Sequence, residues 1–275
     1  MGRIQERYGT AALRHAAAVV AVQEDIAGVP ERARSSSAGG SPTGIPELDA
    51  LTSVGGLPLG RISLCLGSPG SGTMLVGCHF LARSSQDYAA VLMLDLRGHV
   101  DPWLLSRLGA RLDRVLVLRP PYGDGPTHAA RIDAQLRTAL EATLSLLRAG
   151  MGSVVADLPG DLAMSGVWDP FAASLSAACA RAGAPLLLLA EQAPTSLRYA
   201  ASVVLRLRHE EWLLRHGDID GVRSSATVEK NKVGIPGGVA EVRLRYPREG
   251  FAAPAVASVP RIAAEAALEP GEVAL

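Results

Sequence analysis

A short glycine-rich stretch carries the strongest chemical signal in this sequence. It lies between a predicted buried strand and a predicted helix, and it reads Gly67-Ser68-Pro69-Gly70-Ser71-Gly72-Thr73-Met74. Glycines at this spacing let the backbone wrap around an anion, which then faces the N–H groups at a helix N-terminus. Residues 67–74 are therefore a candidate phosphate-binding loop of the pattern G-x-x-x-x-G-K-[ST].

Two side chains that nucleotide hydrolysis requires are missing from this loop. The lysine that neutralises the outer phosphates is replaced by Thr73, and the hydroxyl that holds Mg²⁺ is replaced by Met74. A thioether is a poor ligand for this hard cation, so we expect no bound Mg²⁺. We favour a structural turn without a cofactor, while weak ATP binding through the backbone and hydrolysis with a cation from elsewhere stay open.

The elements that must position this loop alternate between strand and helix. Apolar strands are predicted over 61–66, 91–95, 115–118, 153–157 and 185–190. The helices predicted between them cover 71–84, 101–108, 127–149 and 169–182. This alternation predicts an α/β fold, with a mostly parallel sheet flanked by helices. Antiparallel strands that extend the sheet are predicted over 203–208, 211–216, 222–230 and 240–246.

Segments of different composition flank this core, which is predicted to span residues 45–251. Residues 1–27 predict an N-terminal arm with an amphipathic helix, and 28–44 predict a flexible linker rich in Ser, Gly and Pro. Residues 252–275 predict a disordered tail. The apolar stretch 16–22 is too short for a signal peptide, and no run approaches the roughly 20 apolar residues that span a bilayer. We expect a cytoplasmic protein without membrane contact.

The charge balance and the cysteines limit the classes of partner and cofactor. The 27 Lys and Arg residues equal the 27 Asp and Glu residues, so the formal net charge is zero. A basic footprint for autonomous nucleic-acid binding is therefore missing, and DNA contact is expected to be weak or indirect. Cys65, Cys78 and Cys179 lie in apolar stretches without metal-ligand spacing, which predicts buried thiols and no metal site.

Four segments of the sequence resemble the RecA recombinase family. Residues 43–62 resemble the family's entry into the phosphate-binding loop, and 94–120 resemble its second strand with the following helix. Residues 228–236 resemble its late lysine-bearing strand, and 3–15 resemble its N-terminal polymerisation helix. Together these segments span most of residues 3–251. The resemblance implies a RecA-like P-loop core and a connection with DNA repair.

The resemblance also implies roles for single residues, and several of them have changed. Arg97 stands at the family's catalytic glutamate, and a guanidinium that stays protonated cannot act as a general base. Asp157 matches the second acidic, metal-associated position, and Gln192 matches the glutamine that senses the terminal phosphate. The loss of both lysine and glutamate predicts that no catalytic residue remains.

The two DNA-binding loops that the family implies are also reduced. After Gln192 only residues 193–196 remain, which predicts a turn. The other loop, 158–168, carries no Lys or Arg, and its last residue, Trp168, is expected in the core or an interface.

The lysines of the late strand are retained. Lys230 and Lys232 imply, through the resemblance, a contact across a subunit interface with a neighbour's ATP. A solvated strand edge and direct binding of DNA phosphates remain open for them.

These observations predict an interaction protein rather than an enzyme. We expect a non-catalytic accessory protein of DNA repair, similar to the ImuA-type accessory proteins of translesion repair. Its expected partners are RecA or RecA-like subunits and a translesion polymerase. Two alternatives remain, namely a divergent DNA-dependent ATPase and a module that binds ATP without cleaving it.

Overall fold

The computed structural model describes residues 39–120 and 127–247. These residues hold nearly the whole predicted core, from the entry to the phosphate-binding loop to the last antiparallel strand. The predicted N-terminal arm (1–27), most of the predicted linker and the predicted tail (252–275) lie outside the described residues.

An eight-stranded sheet organises the described residues. Its strands in chain order are β3 (Ile62–Gly67), β4 (Val91–Asp95), β5 (Val115–Leu118), β6 (Ser153–Asp157), β7 (Leu186–Ala190), β8 (Val203–Arg215), β9 (Asp218–Asn231) and β10 (Val239–Arg245). They lie in the order β10-β9-β8-β3-β7-β6-β4-β5. The strands from β8 to β5 are parallel, whereas β9 and β10 are antiparallel additions. The predicted α/β fold class is confirmed.

Helices pack against the sheet and create two apolar cores. In chain order they are α1 (Pro46–Leu51), α2 (Thr73–Asp87), α3 (Pro102–Arg107), α4 (His128–Arg148), α5 (Gly160–Ala163), α6 (Trp168–Ala182) and α7 (Thr195–Ala200). Leu64 and Leu66 of β3 belong to one core, and Cys65 belongs to the other. Strand β3 is thus buried on both sides, which explains its uninterrupted apolar sequence.

Helix α4 shows how local sequence sets an element of this fold. The side chain of Thr127 accepts a hydrogen bond from the backbone N–H of Ala130 at 3.1 Å, which caps the helix N-terminus. From there Leu136, Leu140 and Leu147 recur on one stripe and are buried. The predicted helix is confirmed to within one residue at each end.

The end of the predicted linker needs correction. Residues 40–44 belong to the core, because a short strand, β1 (Gly40–Ser41), pairs with β2 (Leu57–Pro58). The backbone N–H and the hydroxyl of Thr43 both donate to the carboxylate of Asp49 at 2.7 Å. Short polar side chains that we interpreted as linker composition instead make local hydrogen bonds.

The antiparallel region also differs from the prediction in one respect. We expected separate strands over 203–208 and 211–216, but the structure has a single strand, β8. Its pairing with β9 shifts between His209 and Glu211, so a bulge absorbs the polar interruption without ending the strand. The predicted turn at 216–218 is confirmed, with φ angles of 51° at His216 and 91° at Gly217.

Candidate nucleotide site

The backbone of the phosphate-binding loop keeps a shape that suits an anion. Strand β3 ends at Gly67, the N–H of Ser71 donates to the carbonyl of Ser68 at 3.0 Å, and α2 begins at Thr73. Gly70 and Gly72 have φ angles of +82° and +87°, which glycine adopts without strain. The first-turn N–H groups of α2 have no partner within the helix, so the loop retains the donors that cradle a phosphate.

The loop is also built into the core from behind. A β-carbon at Gly72 would lie 2.5 Å from Cδ1 of Leu244 and 3.0 Å from Cγ1 of Val222. The hydroxyl of Ser224 donates to the carbonyl of Ser71 at 2.9 Å. The strands β9 and β10 therefore hold the loop in place, which gives it a structural function independent of any ligand.

A cavity of about 210 Å³ opens in front of the loop, and we call it the loop cavity. Besides the loop itself, its wall includes Arg97, His99, Asp157, Glu191, Trp212 and Tyr246. Thr73 and Met74 line it, as the sequence predicts for the lysine and hydroxyl positions. Of the described residues that line the cavity, Arg97 is the only Lys or Arg.

Arg97 is committed to groups of its own chain. Its Nε lies 3.2 Å from a carboxylate oxygen of Asp157, and its Nη2 donates to the carbonyl of Leu158 at 2.7 Å. Burial raises the pKa of Asp157 above the ordinary value of 3.8, while the Arg97 charge opposes this rise. The ion pair is the arrangement expected when a cation takes the place of a catalytic glutamate beside a buried carboxylate.

The neighbouring carboxylate of Asp95 is neutralised in a similar way. It accepts hydrogen bonds from the backbone N–H groups of His99 and Val100 at 3.0 and 3.1 Å. Arg119 contacts it at 2.7 Å. The strand ends beside the loop thus hold two carboxylates that are both matched by arginines, and neither arginine is available to a phosphate without breaking a pair.

Two aromatic residues at the cavity rim were missed in the sequence. A β-carbon built on Gly70 would lie 3.1 Å from Cη2 of Trp212, so this indole covers the turn of the loop. The ring of His209 packs against Trp212 with centroids 4.7 Å apart. Tyr246 lines the cavity beyond the end of β10. Both aromatics reach the rim because β8 and β9 continue past the end of β3. The prediction of two separate strands made this region shorter than the single long strand that is observed.

Gln192 is not among the residues that line the loop cavity. It lines a second cavity of about 340 Å³, which we call the Arg208 cavity after its one unpaired arginine. Gly67 and Ser68 form one wall, and Arg206 and Arg208 of β8 form another. Glu191 lines both cavities and was also missed. The two residual family positions, Asp157 and Gln192, therefore face different spaces.

Lys230 and Lys232 lie toward the opposite end of the sheet from the phosphate-binding loop. Lys230 pairs with Val204, which is three residues, or about 10 Å, along β8 from the partner of Gly67. Both ammonium groups donate to the carbonyl of Tyr199 at the end of α7, at 3.1 and 2.8 Å. Burial, followed by repulsion from Lys232, lowers the pKa of Lys230. The contact across a subunit interface stays a prediction.

The segments that match the family's DNA-binding loops are packed rather than extended. Trp168 is fully buried, and its indole N–H donates to the carbonyl of Leu162 at 2.8 Å, so the expectation of a core tryptophan is confirmed. Of the turn predicted over 193–196, Thr195 and Ser196 instead begin α7. Its Leu197 is buried, and this apolar contact explains why the short segment forms a helix.

The structure also answers two questions about metals and membranes for the part of the chain that it describes. Within 39–120 and 127–247, no group of three or more His, Cys, Asp or Glu side chains is placed to hold a metal ion. None of the helices in these ranges is long and apolar enough to cross a membrane. All three cysteines are buried as free thiols, and burial raises the pKa of Cys65 to about 12.

Comparison with known proteins agrees with this architecture. A family model described as "ATPase: KaiC" matches residues 41–94, which include the phosphate-binding loop. RecA of Bacillus pumilus (strain SAFR-032) is 27% identical, with 68% of this chain and 60% of that protein covered. RecA of Bacillus subtilis (strain 168) is 26% identical, with 68% and 59% covered.

Among solved structures, the crystal structure of the RadB recombinase has the same fold. It superposes with a TM-score of 0.57 at 17% identity, and the match covers 76% of this chain and 97% of that one. Sequence and fold together show that this chain has a RecA-like α/β core. The chain spans about three fifths of the length of the RecA proteins it matches.

Proposed function

We propose that this chain is a non-catalytic RecA-like accessory protein of DNA repair. It acts through protein–protein contacts with a RecA filament or a translesion polymerase complex during the response to DNA damage in the cytoplasm. The observation that carries the proposal is the ion pair between Arg97 and Asp157 in the loop cavity, beside Thr73 and Met74. A triphosphate at this site would meet no free cation among the described lining residues, and an arginine stands where the resemblance implies the catalytic glutamate.

Binding to a recombinase filament tests the protein-contact part of this proposal. RecA filaments assembled on single-stranded DNA with a non-hydrolysable ATP analogue are sedimented with the chain, and the bound fraction is measured. We expect co-sedimentation that requires the filament. We also expect the double change Lys230→Ala and Lys232→Ala to weaken it, whereas Arg83→Ala, which removes an exposed cation from an ion pair with Asp87, leaves it unchanged. If the chain stays in the supernatant with filaments and with a translesion polymerase, the proposal fails.

A second candidate function is a divergent ATP-binding paralogue of the recombinases. It is favoured by the preserved backbone of the phosphate-binding loop, and by Asp157, which still lines the open loop cavity. Calorimetry with a non-hydrolysable ATP analogue separates the two candidates. Micromolar binding would support the second, and an absence of heat supports the accessory protein.

A further inference from the structure

We propose that the Arg208 cavity binds a carboxylate side chain from an extended, acidic peptide segment of a partner protein. The inference rests on the proposed function, because it names the chemistry of one protein contact. The cavity has a volume of about 340 Å³ and lies beside the start of the phosphate-binding loop, between Ser68, Gln192 and Arg208. It is distinct from the loop cavity, where we propose that the residues needed for catalysis are missing.

Arg208 is an exposed cation that lines a concave site. It forms no ion pair or hydrogen bond with any of the described residues. By contrast, carboxylates of the chain pair with four other arginines of the antiparallel strands, namely Arg206, Arg223, Arg243 and Arg245. Arg215, at the end of β8, also has no described partner, but it lines neither cavity. Arg208 therefore differs from its neighbours in having both an available charge and a cavity.

A carboxylate is already bound by arginines next to this cavity. Glu229 contacts Arg206 and also Arg198 of α7, the latter at 2.9 Å. The β8–β9 register skips Glu229, since Val204 pairs with Lys230 and Leu205 pairs with Val228. The hydrogen bond from Arg206 lowers the pKa of Glu229, so this carboxylate is ionised at neutral pH. The planar fork of arginine fits carboxylate oxygens, and Glu229 shows that fit on this surface.

Of the two arginines that line this cavity, only Arg208 is open to a peptide. Arg206 and Arg208 are alternate residues of one strand, so their backbone positions are about 7 Å apart. Glu229 occupies the first arginine within the chain, and an incoming carboxylate takes the second. The amide of Gln192 and the hydroxyl of Ser68 supply further N–H and O–H donors in the same cavity.

The cavity fits nucleic acid less well. Single-stranded nucleic acid is bound by a run of cations along the backbone and by aromatic rings that stack on successive bases. None of the described residues that line this cavity is aromatic, and Arg208 is its one unpaired cation. A single arginine with neighbouring amide and hydroxyl donors matches one carboxylate better than a phosphodiester chain.

Glu191 gives the proposal a second, opposite test. It lines the same cavity, and it forms no hydrogen bond or ion pair with the described residues. Its negative charge repels an incoming carboxylate, so Glu191→Gln, which keeps the shape and removes the charge, should strengthen binding. A loss of binding in Arg208→Gln together with a gain in Glu191→Gln requires an anion in this cavity.

The experiment measures fluorescence anisotropy of a fluorescein-labelled deca-glutamate peptide mixed with the full chain at low salt. We expect Arg208→Gln to weaken binding about tenfold, because a charge-assisted hydrogen-bonded pair is lost. Arg215→Gln makes the same charge change on the same strand outside the cavity, and we expect it to have little effect. Equal weakening by both variants would show a general charge effect and overturn the proposal. Binding of labelled oligothymidylate, rather than of the peptide, through Arg208 would also overturn the proposal.

The filament assay, run in parallel, separates this inference from the proposed function. If the chain co-sediments with RecA filaments but shows no Arg208-dependent peptide binding, the inference alone fails. If the peptide binds through Arg208 while no filament or polymerase contact exists, the proposed function fails and the carboxylate site stands.

Discussion

Two cavities share the Gly67 end of strand β3, and they differ in how their charges are used. In the loop cavity the only arginine among the described lining residues is paired with Asp157. In the Arg208 cavity an arginine remains without a described partner. The loop cavity has the backbone shape of a phosphate site but no free positive charge among its described lining residues. The Arg208 cavity has a free positive charge, although Gln192 is the only one of its residues to which the resemblance assigns a role.

The difference shows that separate residues set the backbone shape and the charge of the loop cavity. Val222 and Leu244 lie against Gly72, and Ser224 donates to the carbonyl of Ser71, so the packing requires a glycine at position 72 even without a nucleotide. The positions at which the resemblance implies the lysine, the hydroxyl and the catalytic glutamate hold Thr73, Met74 and Arg97. The packing of the loop therefore does not depend on the side chains that nucleotide hydrolysis requires.

The largest expected effect tests whether the loop is part of the core. Gly72→Ala adds a β-carbon against Leu244 and Val222 at a φ angle of +87°, and we expect it to cost about 3 kcal/mol of unfolding free energy. Urea denaturation measures this loss. Gly98→Ala is the matched control, because Gly98 has a φ angle of +73° with open space around it and should cost only about 1 kcal/mol. Equal costs for both variants would show that the loop is not packed as described.

The next effect tests the ion pair in the loop cavity. Arg97→Ala leaves Asp157 buried without its cation, and we expect a loss of about 2 kcal/mol at neutral pH. The folded-state pKa of Asp157 is already raised above 3.8 and should rise further, so the stability of the variant falls as pH rises from 3.8 through that pKa. The penalty is therefore full at neutral pH and shrinks as pH falls toward 3.8.

Denaturation curves recorded at several pH values check this dependence. Arg83→Ala, which breaks an exposed pair with Asp87, should cost less than about 0.5 kcal/mol at every pH. A loss for Arg97→Ala as small as this, and independent of pH, would mean that the Asp157 carboxylate does not need its partner.

The smallest expected effect tests whether the missing side chains, and not the shape of the loop cavity, limit its affinity for ATP. Thr73→Lys combined with Met74→Thr restores the lysine and the hydroxyl on the preserved backbone. We expect the affinity for a non-hydrolysable ATP analogue to rise about tenfold, or about 1.4 kcal/mol. Calorimetry measures the change, and Met74→Lys alone, with the charge one residue further along α2, is the control. An unchanged affinity in the combined variant would show that the cavity is blocked by shape, with Trp212 over Gly70 as the cause.

The sequence predicts the fold and the missing groups better than it predicts the wall of the site. Apolar strands, glycine spacing and the identities of Thr73, Met74 and Arg97 are local, and the structure places all three residues at the loop cavity. The pairing of Arg97 with Asp157 depends on β4 lying beside β6, with Asp95 opposite Asp157. That adjacency is a property of the sheet order, which no local pattern contains.

Two residues show where a signal was present and where it was not. Glu191 directly follows the buried strand β7, and residues at the carboxyl end of a parallel strand line the crevice at that edge of the sheet. This position is readable in the sequence and could have added Glu191 to the candidate site. Trp212 reaches the loop only because β8 passes through a bulge as one long strand. Its polar residues, 209–211, indicate a break, so the local pattern points away from the observed structure.

Steady-state ATP turnover by the purified full chain, with and without single-stranded DNA, tests the central claim most directly. We predict no turnover above the buffer background under either condition, because the described lining residues of the loop cavity offer no free cation and Arg97 stands in place of the glutamate that the resemblance implies. Turnover that single-stranded DNA stimulates and that Asp157→Asn abolishes would contradict the account.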